Sequence, residues 1–93
     1  MKLLWSEAAW EDYLYWQKTD PGTLHRITTL LQDIRRNPVK GLGKPEPLRG
    51  DLSGWWSRRI SGDHRIICRA RGAGDDQRVE IVACRYHYSN RRR

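Results

Sequence analysis

The sequence is poor in sulfur chemistry and has no long apolar stretch. Cys68 and Cys84 are the only cysteines, and no Cys-x-x-Cys pair occurs. Two cysteines make no disulfide framework; each lies inside an apolar run, as expected of small core residues in a reducing compartment. His25, His64 and His87 stand apart, without the paired spacing of zinc ligands. No metal and no cofactor are therefore expected. The longest apolar runs span three or four residues, as at Leu3–Trp5 and Val82–Cys84, against the roughly 20 of a membrane span. Met1-Lys2-Leu3-Leu4-Trp5 is cut off by Ser6 and Glu7, too short for a signal-peptide core. The chain is expected to stay where it is made, in the cytoplasm, with no membrane partner. No repeat or low-complexity segment occurs apart from the basic end Arg91-Arg92-Arg93. Ninety-three residues bury only about 60–65% of the surface exposed in the unfolded chain. One modest core results, which excludes a two-domain enzyme with its own cofactor domain.

What the chain does have is an uneven charge. The net +7 comes from 18 basic and 11 acidic residues. Residues 1–37 hold five cations (Lys2, Lys18, Arg26, Arg35, Arg36) and five anions (Glu7, Glu11, Asp12, Asp20, Asp33), so residues 38–93 carry the whole excess. A localised positive field draws polyanions, nucleic acid above all. Fourteen of the eighteen cations are Arg, whose planar fork grips phosphate where Lys offers a point charge.

Secondary-structure signals divide the chain at the same place. Lys2–Trp5 is a short strand candidate. Ser6 is a good N-cap, with Glu7, Glu11 and Asp12 early in the following helix, where its dipole favours anions. Ala9, Trp10, Tyr13, Leu14 and Gln17 predict one face of a helix reaching about Thr19. Asp20-Pro21 is a second start signal. Leu24, Ile27, Leu31 and Ile34 form an apolar helical stripe, closed by Arg35, Arg36, Asn37 and Pro38. Pro38–Pro47 reads as a loop that holds Glu46 between Pro45 and Pro47. Period-two patterning then predicts strands over Leu48–Leu52, Trp55–Ser61, His64–Arg71 and Arg78–Tyr88, with a tight turn at Gly62-Asp63 and a longer one over Gly72–Gln77. The expected fold is α+β, two N-terminal helices packed on one face of a small, mostly antiparallel sheet.

Alternation sorts the arginines. In His64–Arg71, Ile66, Cys68 and Ala70 are expected in the core, and Arg65, Ile67, Arg69 and Arg71 on the open face. A three-residue loop, 61–63, pairs Arg59 with Arg65 and turns Ile60 inward, at the cost of putting Arg58 on the core side. The last strand offers two sets, Val79, Ile81 and Ala83 or Val82, Cys84 and Tyr86. If the second is core, Arg85 and His87 join the arginine face, and a single bulge overturns that parity.

A basic face with one carboxylate and one imidazole has the parts for RNA cleavage. A 2′-hydroxyl must lose a proton, the phosphorane needs cations, and the 5′-oxygen needs a proton. Glu46 can take the first proton, Arg59 and Arg65 can hold the phosphate, and His87 can supply the last proton if its neighbours keep it charged. Composition and spacing alone fit a non-catalytic nucleic-acid-binding module, such as a co-repressor at DNA, better than a nuclease.

The residue order adds a resemblance. Lys2-Leu3 with Trp5-Ser6-Glu7, Trp10 to Trp16, Gly41 to Leu48 around Lys44-Pro45-Glu46-Pro47-Leu48, Leu52 to Ile60, His64-Arg65, and Ala83-Cys84-Arg85-Tyr86-His87-Tyr88 resemble, in order, the Txe/YoeB toxin family. The resemblance covers Met1 to Tyr88, a single domain 1–88, and leaves residues 89–93 as a basic tail beyond the family's usual end; the loop Gly72–Gln77 is also longer. It implies a RelE-like fold and the toxin half of a type II toxin–antitoxin pair, which cleaves mRNA in the A site of the 70S ribosome and arrests translation. The family's catalytic positions fall on Glu46, Arg65, His87 and Tyr88. Its RNA-facing cations fall on Lys44, Arg49, Arg59 and Arg85, with Arg49 standing where the family often has Lys. It also implies a homodimer, a YefM-like antitoxin covering the site, and contact with operator DNA only through that antitoxin.

Overall fold

The first turn of the chain is set by capping. The computed structural model describes residues 1–86. After strand β1 (Lys2–Trp5), Ser6 accepts a hydrogen bond from the Ala9 N–H at 3.0 Å and opens helix α1 (Glu7–Thr19). Asp20 then serves two helices. Its N–H donates to the Trp16 carbonyl and closes α1, while its carboxylate accepts from the Thr23 N–H and hydroxyl and opens α2 (Pro21–Arg36). Pro21 occupies the first turn, where no N–H is needed. α2 ends at Asn37, as the Arg35-Arg36-Asn37-Pro38 signal predicts. The buried face of α1 is rotated from the expected one. Ala9, Asp12 and Trp16 are buried with Tyr13 beside them, while Trp10 is 44% exposed and Gln17 is exposed.

Five strands follow the order β1-β5-β4-β3-β2, with β2 at Glu46–Pro47, β3 at Trp56–Ser61, β4 at His64–Arg71 and β5 at Arg78–Ala83. β1 runs parallel to β5 and the other pairs are antiparallel, so the sheet is mixed. The expected strand over Leu48–Leu52 is not formed. Leu48 still donates to the Trp55 carbonyl, but Gly50 takes a positive φ of 64° and Gly50–Leu52 winds into one 3-10 turn. Pro47 ends the edge strand instead, where a missing N–H does little harm. Among the described residues, no helix is long and apolar enough to cross a membrane.

The main core lies between the helices and one sheet face. Ile27, Leu30 and Ile34 of α2 and Ala9 and Trp16 of α1 meet Ile60, Ile66, Cys68, Val79, Ile81 and Cys84. Each large aliphatic side chain there contributes about 1.5–3 kcal/mol. Burial pushes the Cys68 thiol up to about 12, which leaves it an inert core residue, and Cys84 is buried and unbridged too. A smaller cluster of Leu48, Ile67 and Ala83 occupies the opposite face. Ile67, expected on the open face among the arginines, does point there, but is only 1% exposed because Leu48 and Ala83 cover it.

The loop from α2 to β2 is organised by one buried cation. Arg58 has no exposed side-chain area. Its Nη1 donates to Asp33 Oδ2 at 2.6 Å and to the Leu42 carbonyl at 2.9 Å, and its Nη2 donates to the carbonyls of Asn37 (2.6 Å) and Lys40 (2.9 Å). Only Nε lacks a partner among the described residues. Asp33 also accepts from the Leu42 N–H. Gly43 completes the loop. Its carbonyl accepts from the Arg59 N–H at 2.7 Å, and a Cβ there would meet Leu30 Cδ2 at 2.9 Å.

These contacts predict acid sensitivity. The hydrogen bond from Arg58, then that from the Leu42 N–H, holds the Asp33 carboxyl below its ordinary 3.8. Hydrogen bonds from Arg69 and Arg78 hold Glu80 below 4.5. A carboxylate whose folded pKa is depressed stabilises the fold above its unfolded pKa, and that stability is lost as pH falls through the folded value. The urea midpoint is therefore expected to hold above about pH 5 and to fall steadily below about pH 4. A midpoint flat across that window would contradict the assignment.

Candidate active site

Strand register brings the sequence-predicted residues onto one face, because directly paired residues point the same way. Across the middle of the sheet, Glu46 pairs with Ser57, Ser57 with Ile67 and Ile67 with Ala83. Two residues along β3, Arg59 pairs with Arg65, as expected, but not through a loop 61–63: Ser61 pairs with His64 across the two-residue turn Gly62-Asp63, and Ile60 is bulged between the two pairs. In the other direction Arg69 pairs with Glu80, and Arg71 with Arg78. Glu46 thus stands one row from the Arg59–Arg65 pair, on the face opposite the helices.

Glu46 is exposed and backed by proline on both sides, so its backbone has little freedom. A shallow cleft of about 490 Å³ is lined by Glu46, Pro47, Leu48 and Arg49. Lys44, two residues earlier, is exposed and held at a φ of 52°, in the left-handed region that non-glycine residues rarely adopt. Arg49 is exposed at the start of the 3-10 turn.

Four arginines of this face fall into two groups. Arg69 and Arg78 share Glu80, with Nε–Oε distances of 2.7 and 3.2 Å, and Arg69 also lies over the Trp55 ring at 4.2 Å. Their charge is largely spent. Arg59 and Arg65 make no carboxylate pair among the described residues. Arg59 is exposed. Arg65 donates through Nη1 to the carbonyls of Gly62 (2.8 Å) and His64 (3.0 Å), which parks its guanidinium at the hairpin turn.

The end of β5 corrects the parity expected for Arg85. Ile67 pairs with Ala83 and Cys68 with Ile81, so Val82 is an extra, bulged residue. Before the bulge Val79 and Ile81 face the core; after it Cys84 does, and Ala83 turns to the site face. Neither expected set is core throughout. The ladder stops at Ala83, and Arg85 does not join Arg59 and Arg65. Its guanidinium stacks on Tyr15 of α1, 3.4 Å from the ring centroid, and on Tyr86 at 4.5 Å. His87, Tyr88 and the tail 89–93 lie outside the described residues.

Several residues that the apolar pattern does not mark hold the arm that follows β5, residues 84–86, in place. Asp12 Oδ2 accepts from the Cys84 N–H at 3.0 Å, and Trp16 Nε1 donates to the Cys84 carbonyl at 2.8 Å. His64 Nδ1 accepts from the Tyr86 N–H at 2.7 Å, and the Arg65 N–H donates to the Tyr86 carbonyl at 3.1 Å. One signal was present in the sequence: Asp12 falls with Ala9, Tyr13 and Trp16 on one helical face, a carboxylate within an apolar stripe.

Two helices on a mixed five-stranded sheet, with a basic opposite face, define the RelE-like class. The sequence model described as "YoeB-like toxin of bacterial type II toxin-antitoxin system" matches residues 5–88. The chain is 53% identical to the toxin YoeB of Escherichia coli K12 over 88 residues, 95% of this chain and 100% of that protein. A solved YoeB/ParE toxin from Agrobacterium tumefaciens is 49% identical and superimposes with a TM-score of 0.90 over 95% of this chain and 100% of its own. The YoeB chain of a heterotetrameric YoeB–YefM complex from Staphylococcus aureus is 39% identical, with a TM-score of 0.82 over 95% and 98% of the two chains. The chain belongs to the YoeB family of type II toxin–antitoxin toxins.

Proposed function

We propose that this toxin is a ribosome-dependent endoribonuclease that cuts mRNA in the ribosomal A site and so halts translation. The observation that carries the reading is the placement of the Glu46 carboxylate one row from an Arg59–Arg65 pair that no carboxylate neutralises among the described residues. Glu46 removes the proton of the 2′-hydroxyl, which attacks the adjacent phosphorus. Arg65 swings from the turn carbonyls to the phosphate, and its fork holds the charge of the phosphorane. His87 gives a proton to the departing 5′-oxygen and Tyr88 assists, roles assigned from the family resemblance. Lys44, Arg49 and Arg59 dock the RNA backbone. Every step is proton transfer or charge stabilisation by side chains, and none calls on a metal. A ribosomal substrate makes the cytoplasm the place of action.

The partners follow the same reasoning. S. aureus YoeB has been solved as a dimer and in complex with YefM, and this chain is taken to form a homodimer and to be held by a YefM-like antitoxin through which alone it reaches DNA.

The test is to map mRNA 5′ ends in a translating extract. The wild-type protein is expected to produce discrete new ends only while ribosomes translate. Glu46→Gln, which keeps the shape and removes the base, is expected to reduce them about 10²–10⁴-fold. Full activity of Glu46→Gln would favour a binding role over catalysis.

A further inference from the structure

Resting on that reading, we infer that His64 is a positioning residue, whose Nδ1 fixes the backbone at Tyr86, the residue before the proposed proton donor His87. Tyr86 has a φ of 64°, in a region that costs a non-glycine residue roughly 1–3 kcal/mol and persists only where the surroundings over-determine it. Two hydrogen bonds do so, one on each side of the residue. Its N–H donates to His64 Nδ1 at 2.7 Å, and its carbonyl accepts from the Arg65 N–H at 3.1 Å.

The imidazole is itself fixed. It stands edge-on to the Trp16 ring at 4.8 Å and 85° and lies tilted by 41° to the Tyr86 ring at 5.6 Å. Trp16 is pinned in turn by its indole hydrogen bond to the Cys84 carbonyl. Nδ1 is the acceptor in this bond, so the tether depends on the ring atom next to Cγ. His64 therefore ties residues 84–86 to the strand that begins with itself and Arg65, so one hairpin end holds both the proposed phosphate-holding arginine and the backbone at Tyr86. None of this places His64 on the substrate.

The position of the acceptor makes the idea testable. The Oδ1 of Asn stands on Cγ, as Nδ1 does, whereas Gln carries its oxygen one bond further out and Leu carries none. His64→Asn is expected to keep single-turnover cleavage on programmed ribosomes close to wild type. His64→Leu is expected to lose about tenfold to a hundredfold in the saturated rate, since a displacement of about 1 Å is enough for that, while ribosome affinity is unchanged. In parallel, exchange of the Tyr86 amide is expected to be slow in the wild type and His64→Asn and fast in His64→Leu. Should His64→Leu fail to fold, His64→Gln takes its place, with the same loss expected. Equal rates in wild type and His64→Leu, or equal losses in His64→Asn and His64→Leu, would overturn the proposal. A wild-type protein that does not cut RNA at all would refute the nuclease reading instead, and the amide exchange would still report on the tether.

Discussion

Replacing Arg58 by Met is expected to cost about 3–5 kcal/mol of folding stability, the usual result of removing one partner of a buried ion pair. The guanidinium satisfies four acceptors from two segments: the Asp33 carboxylate on α2 and the carbonyls of Asn37, Lys40 and Leu42 in the following loop. Met fills similar volume but offers none of those donors. Asp33 keeps 21% of its side chain exposed and can draw water, which puts the cost nearer the lower bound. For a domain of this length each kcal/mol lowers Tm by about 4–8 °C, so a fall of roughly 12–25 °C is expected. Since the whole stability of such domains is about 5–15 kcal/mol, the variant stands near its folding limit.

Arg58→Lys separates charge from geometry. An ammonium can neutralise Asp33, but as a compact point charge it cannot span acceptors on two segments. Its Tm is expected between those of wild type and Arg58→Met. Thermal melts and urea titrations of the three proteins check this, and a fall below about 5 °C for Arg58→Met would mean that the loop does not depend on the clamp. The functional consequence is indirect. The clamped loop leads directly into Pro45 and Glu46, so a loosened clamp leaves the carboxylate present but poorly placed.

How much of this was legible in the sequence depended on how local the cause is. Ser6, Asp20-Pro21 and Asn37 act within a few residues of themselves, and the helix ends fall where those residues predict. The Arg59–Arg65 register was legible from the need to bury Ile60, but the expected loop 61–63 is not formed: a bulge at Ile60 and the two-residue turn Gly62-Asp63 give the same pairing. Arg58 on the core side read as a cost because its compensation, Asp33 and three loop carbonyls, is distant in sequence. The bulge at Val82 has no local signature either. It lets Ile81 and Cys84 both reach the main core while Ala83 covers Ile67 from the other face. The face of α1 was misread because counting only apolar residues favoured Trp10 and Leu14, whereas the buried stripe includes the carboxylate of Asp12, drawn inward by the Cys84 N–H. Glu46 and Arg65 were proposed from residue type and spacing, and strand register brings them to one face, while the tethers at Asp12, Trp16 and His64 exist only once β5 has returned to lie beside α1 and β4.

If Arg65 stabilises the proposed phosphorane, Arg65→Ala should lower the saturated cleavage rate by about 10²–10³-fold, the usual loss when one transition-state donor is removed. Arg59→Ala should act differently. A cation that only docks the backbone lowers affinity, reduces the salt slope by about one unit, and is compensated by more protein or less salt. The two residues are cross-strand neighbours of equal charge, so any difference between them reflects role rather than field. Arg65→Lys should recover part of the rate, since the charge returns without the fork. Loss of the arm is not the cause to fear in Arg65→Ala, because the bond to the Tyr86 carbonyl comes from the Arg65 backbone N–H and survives the substitution. The side chain does surrender its bonds to Gly62 and His64, and Tyr86 amide exchange in the variant tests whether that matters. A rate loss in Arg65→Ala that disappears at high protein concentration and low salt would make Arg65 a second docking cation, and the reacting phosphate would need another partner.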